Sequence, residues 1–129
     1  MRPIKFAIVG GIGTVLGIIF LWFFNEVLFL HYSIAAIIAI ELSVLTNFTM
    51  NQIWTFGDRV MKNGIRELWR RVVKYHSITF VGMVINMIVI LVSVSLFSFN
   101  QYLAYVLGVL IGYLWNYSFS NRWAWKAKK

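Results

Sequence analysis

Between Lys74 and Arg122 the chain holds no Asp, Glu, Lys or Arg. A soluble helix needs a charged or polar face opposite its apolar one, so a charge-free stretch of this length reads as membrane-embedded. It has room for two spans of about 20 residues each, and Ser98-Phe99-Asn100-Gln101 divides it into spans near 77–97 and 102–120. Upstream, the run from Phe6 meets no charge before Glu26, and a second run, 34–53, is interrupted by Glu41 alone. The expected fold is therefore all-α and integral to a membrane, with four transmembrane helices. Composition agrees: 60% of the 129 residues are hydrophobic and 12% charged, where a soluble domain carries roughly 25% charge. A water-soluble globule is excluded, and so is a disordered chain. With no cysteine there is no disulfide, thiolate nucleophile or thiolate metal site.

The net charge of +8 raises the question of nucleic acid, and the placement of the cations answers it. Arg2 and Lys5 precede the first span. Arg59, Lys62, Arg66, Arg70, Arg71 and Lys74 lie between the second and third, and Arg122, Lys126, Lys128 and Lys129 follow the fourth. With four spans all three segments fall on one side, which the positive-inside rule makes cytoplasmic. Topology accounts for the cations, and no nucleic-acid partner is expected. In the connector, Met61, Ile65, Leu68, Trp69 and Val72 share one helical stripe beside the row Lys62, Arg66 and Arg70. That pattern predicts a short interfacial helix between the second and third spans, apolar side down, with Arg66, Arg70, Arg71 and Lys74 toward anionic lipids or a partner. Glu67 and Arg71 are spaced for an i, i+4 ion pair. A solvated connector obeying the same charge rule is the alternative.

Shifted against itself by 69 positions, the chain lays Arg2 on Arg71, Lys5 on Lys74, Gly13 on Gly82, Ala35 on Ala104, Asn47 on Asn116 and Trp54 on Trp123. Apolar segments match one another by chance, but matched Asn, Trp and Lys are not explained that way. The reading is one transmembrane domain over 1–129 made of two parallel two-helix repeats, 2–56 and 71–125, joined by a cytoplasmic connector, 57–70.

Polar groups inside a bilayer need a reason. Glu41 is the acid well inside a span, on the face of Leu45 and Phe48, while Ser43, Thr46, Asn47 and Asn51 lie roughly opposite. It reads as a proton-linked or ligand-accepting group, or as a neutral Glu bonded to a neighbouring helix. Asn47, Asn51 and Asn116 offer donors and acceptors to a headgroup or to an opposing helix. Thr79, Asn86 and Ser93 form a seven-residue stripe facing protein or a polar cavity. Gly13-x3-Gly17 and Ala104-x3-Gly108-x3-Gly112 mark close helix packing. Trp54, Phe56, Trp123 and Trp125 are read as an interfacial aromatic belt. No catalytic triad, carboxylate pair or metal-ligand cluster is legible, so neither catalysis by this chain alone, nor a metal, nor any cofactor is expected.

These residues carry a resemblance. Lys5-Phe6-x3-Gly10-Gly11, the Ala-rich entry to the second span with Glu41, Asn47-Phe48-x2-Asn51-x2-Trp54-Thr55-Phe56, and Asn116-Tyr117-x3-Asn121-Arg122-Trp123 together resemble the GtrA-like family over nearly the whole chain. Gln52 stands where a basic residue is commoner in that family. The resemblance implies a bacterial or archaeal plasma-membrane protein of cell-surface polysaccharide synthesis that handles a polyprenyl-phosphate-linked sugar. It would flip the glycolipid across the membrane, with both termini cytoplasmic. Glu41, Asn47, Asn51, Asn86 and Asn116 would then meet sugar hydroxyls, Arg122 the phosphate, and Trp54 and Trp123 the sugar ring. Alternatives are a non-transporting membrane subunit for a polyprenyl-phosphate glycosyltransferase and a small proton-coupled transporter. A homo-oligomer or a membrane glycosyltransferase partner is expected, since one four-helix unit has little interior for a headgroup.

Overall fold

Helix α1 (Arg2–Trp22) carries Pro3 in its first turn, where a missing N–H breaks no helical bond. Helix α2 (Tyr32–Met50) is entered through His31, whose Nδ1 accepts from the Ser33 N–H at 3.3 Å. Helix α3 (Ile65–Ser95) starts at Gly64, which is extended rather than helical, and α4 spans Gln101–Phe119. The computed structural model describes residues 1–60 and 64–126. They fall in two compact units, Met1–Val60 and Met61–Lys129, each a pair of helices packed along its length. Among the described residues there is no strand. Four helical stretches are long and apolar enough to cross a membrane: Arg2–Val27, Tyr32–Thr55, Ile65–Ser95 and Leu103–Ala124.

The connecting turns use the same device in both units. Phe29 and Ser98, related by the 69-residue shift, are the non-glycine residues at positive φ among the described residues, 54° and 51°. Each sits just before a residue whose N–H closes a wide bond, Leu30 to the Phe24 carbonyl and Phe99 to the Ser93 carbonyl, both 3.0 Å. The far ends repeat as well. Helix α2 runs into a π-helical turn at Asn51–Thr55, and α4 into one at Ser120–Ala124. Phe56 N–H and Trp125 N–H close them on Asn51 and Ser120 carbonyls at 2.9 Å each.

Two expectations change here. Residues 65–74 are not a separate interfacial helix; they are the first turns of α3, which runs unbroken to Ser95. No proline interrupts that stretch, so the hydrogen-bond ladder has no cause to end at Lys74. At about 1.5 Å per residue the helix is about 46 Å long, well beyond a hydrocarbon core of about 30 Å. Met61 and Lys62 of the predicted stripe lie outside the described residues. Further, Glu67 pairs with Arg70 at 3.6 Å, one turn on at i+3, rather than with Arg71, which is buried at 6% exposure.

Candidate functional site

Each unit is held by a seam of small and polar side chains spaced by four along its second helix. In the first unit Ala35 and Ala39 are buried, and Ser43 Oγ donates to the Gly13 carbonyl at 2.7 Å. One turn on, the Asn47 carboxamide occupies the place where a side chain on Gly13 would begin. In the second unit Ala104 and Gly108 are buried, Gly112 faces the Gly82 carbonyl, and the Asn116 carboxamide fills the place beside Gly82. A Cβ at either glycine would collide with the Asn carboxamide and force it to shift. The Asn47 and Asn116 Oδ1 atoms are buried and accept no conventional hydrogen bond among the described residues. Trp115 Nε1 adds a bond to the Ile78 carbonyl at 3.2 Å.

The wide turns close each seam with aromatic rings. Phe56 meets Phe6 edge-on at 6.3 Å, and Trp125 meets Tyr75 edge-on at 5.4 Å. All four rings are buried. This corrects the four-residue aromatic belt: Phe56 and Trp125 turn inward onto the first helix of their unit, and Trp54 and Trp123 stay exposed. The π-helical turns cause the split, since one extra residue per turn rotates the chain beyond them back toward its partner helix.

On those exposed indoles sit cations. Lys5 Nζ lies 5.3 Å from the Trp54 ring and Lys74 Nζ 5.3 Å from the Trp123 ring, each within cation–π range. Lys74 also donates to the Trp123 carbonyl at 3.3 Å. Beside the first clamp Arg2 forms an ion pair with Asp58. The residue at Asp58's place in the second half is Ala127 by sequence.

The other sequence-derived candidates are dispersed. Glu41 and Leu45 are exposed on α2, whereas Phe48, expected on the same face, is buried. Asn51 is buried in the first wide turn at 1% exposure. Asn86 packs against Gly108 and Gly112 within the second seam, so the Thr79–Asn86–Ser93 stripe faces protein. Arg66, Arg70 and Arg122 are exposed. Sequence reasoning missed Asp58 as the partner of Arg2, and it missed the pairing of each Asn with a Gly. The signal for the second was present: Asn47 with Gly13 and Asn116 with Gly82 obey one shift.

Comparison with known proteins places these features in context. The family described as "GtrA/DPMS, transmembrane domain" matches residues 5–125. A curated relative, the dolichol-phosphate mannosyltransferase of Pyrococcus furiosus, is 34% identical over 124 residues, covering 96% of this chain and 34% of the relative. The chain thus spans about a third of that protein's length.

Proposed function

Because the chain belongs to the GtrA/DPMS transmembrane-domain family, we propose that it binds a polyprenyl-phosphate-linked sugar at the membrane surface and passes the headgroup across the bilayer. The observation that carries this reading is the duplicated clamp, Lys5 over Trp54 and Lys74 over Trp123. An ammonium held against an exposed indole offers charge to a phosphate and a flat apolar face to a sugar ring. Arg122, exposed next to Trp123, adds a forked donor suited to phosphate. Asn47 and Asn116 carry buried acceptors that a sugar hydroxyl would engage when a seam opens; Asn51, Asn86 and Glu41 extend the polar path along the helices. The polyprenyl tail stays in lipid throughout.

In this reading the three cationic segments are cytoplasmic, so both termini and the connector face the cytoplasm of a bacterial or archaeal cell and the membrane is the plasma membrane. Arg66, Arg70 and Lys74 serve the anionic surface or a partner, and Arg71, buried at 6% exposure, does not reach either. The chain acts without catalysing bond chemistry itself, as a homo-oligomer or beside a membrane glycosyltransferase.

A second reading rests on the Pyrococcus relative, in which the matched region is a third of a longer mannosyltransferase. By that likeness the chain is a membrane subunit that anchors or stabilises such an enzyme. A sidedness assay separates the two. With the protein in proteoliposomes, a labelled polyprenyl-phosphate sugar in the inner leaflet becomes accessible to an external reagent, and Lys5→Ala/Lys74→Ala slows the exchange. No acceleration over protein-free vesicles, with glycosyltransferase co-purification intact, selects the subunit.

A further inference from the structure

The end of the first unit holds a cleft of about 510 Å3 walled by Met1, Arg2, Lys5, Trp54, Thr55 and Asp58, among others. That volume lies within the range of small-molecule sites, about 300–1,000 Å3. Arg2, Lys5, Trp54 and Asp58 give its walls two cations, an indole and a carboxylate, and it opens at the N-terminal turn of α1, which contributes no acid of its own.

Hydroxyls in the two π-helical turns differ from those in the straight helices. Thr14, Thr46, Thr49, Ser77, Thr79 and Ser95 each donate to the carbonyl four residues back. Thr55 is 2% exposed, and its Oγ1, like Ser120 Oγ in the second turn, has no hydrogen-bond partner among the described residues. Thr55 ends the π-helical turn, whose closing bond runs from the Phe56 N–H to the Asn51 carbonyl. A buried hydroxyl without a partner is costly, and the residue that carries this one lines the cationic cleft.

The second half provides an internal comparison. At the matching places it keeps Lys74 and Trp123 in the same geometry, but Thr55 becomes Ala124 and Asp58 becomes Ala127. The scaffold of the turn therefore needs neither the hydroxyl nor the carboxylate. Both are additions to the first unit, and they have opposite relations to an anion: the hydroxyl donates to it, and the carboxylate competes with it for Arg2.

We propose that this cleft is a phosphoryl-binding site, in which a phosphate takes the Thr55 hydroxyl, the Lys5 ammonium and the Arg2 guanidinium, and Asp58 occupies Arg2 until the phosphate arrives. Asp58 thereby limits affinity and keeps the site from holding every anionic headgroup that passes. The choice of a prenyl phosphate as occupant rests on the proposed function; the phosphoryl chemistry does not.

The test uses the full chain in phosphatidylcholine nanodiscs and labelled farnesyl phosphate, with farnesol as the neutral control. Thr55→Ala, which installs the residue of the matching position, weakens farnesyl phosphate binding about tenfold, the equivalent of one hydrogen bond to a charged group. Asp58→Asn tightens it several-fold, an outcome that misfolding cannot mimic. Thr49→Ala, whose hydroxyl is bonded to its own helix, leaves it unchanged. Displacement by inorganic phosphate, or by phosphatidylglycerol in the disc, identifies the source of the phosphate and supports the site in either case. If the wild type binds phosphatidylglycerol as tightly as the prenyl phosphate, with the same dependence on Thr55 and Asp58, the glycolipid reading fails and the phosphoryl site stands. Farnesyl phosphate binding indifferent to both substitutions overturns the site and leaves the glycolipid reading standing. Absence of any anion binding overturns the site.

Discussion

The Asn47 carboxamide lies in the space that a side chain on Gly13 would need, so a Cβ there must displace it. Gly13→Ala and Gly82→Ala should each destabilise the protein by about 1–3 kcal/mol, the usual cost of overpacking. Gly10, beside which a Cβ meets open space, should tolerate alanine or gain up to about 1 kcal/mol from helix propensity. Thermal unfolding in detergent distinguishes them, and Asn47→Ala should restore most of the loss in Gly13→Ala but none of that in Gly82→Ala.

The hydrogen bond from Ser43 to the Gly13 carbonyl crosses between helices in a medium with no competing water. Bonds of this kind average about 0.6 kcal/mol, so Ser43→Ala should lower the unfolding midpoint slightly. Trp115→Phe should cost more, because it removes the bond to Ile78 and part of an indole stacked on Phe119 at 3.8 Å. An equal loss for the two would show that the stacking contributes nothing.

Lys74 makes two contacts with Trp123, over its ring and to its carbonyl, where the cation–π contact recorded between Lys5 and Trp54 is over the ring. An exposed cation–π contact is worth about 0.5–1 kcal/mol. Lys74→Ala should therefore destabilise more than Lys5→Ala, and the difference should persist in a Trp123→Phe background. Denaturation of the four variants as a double-mutant cycle measures it.

Ser98 holds a left-handed conformation, φ 51°, that costs an L-residue about 1–2 kcal/mol. Ser98→Gly should raise the melting temperature, and Ser98→Val should lower it, since a β-branched side chain tolerates positive φ least. The same pair of substitutions at Phe29 should behave alike if the two turns are equivalent.

The four spans were legible in the sequence because charge is excluded from lipid so strongly that its absence marks the helices. The recurrence was legible for a related reason: Asn, Lys and Trp are scarce enough in apolar segments that their matches stand out. What escaped was anything set by backbone register. The π-helical turns at Asn51–Thr55 and Ser120–Ala124 follow no residue pattern, yet they decide that Phe56 and Trp125 point inward. Asn86 and Asn116 read equally well as ligand groups or packing groups, since an amide suits both; the glycines opposite them settle where their side chains rest. Lys74 looked like the end of an element only because its charge ends a span, and a helix does not stop where its solvent changes.

That continuity has a mechanical consequence. A helix that leaves the bilayer without a break cannot roll or tilt inside it while its outer turns stay still. Any protein that grips Arg66 or Arg70 therefore holds a handle whose shaft reaches Gly82 and Asn86, and twisting the handle pries at the glycine contacts farther along.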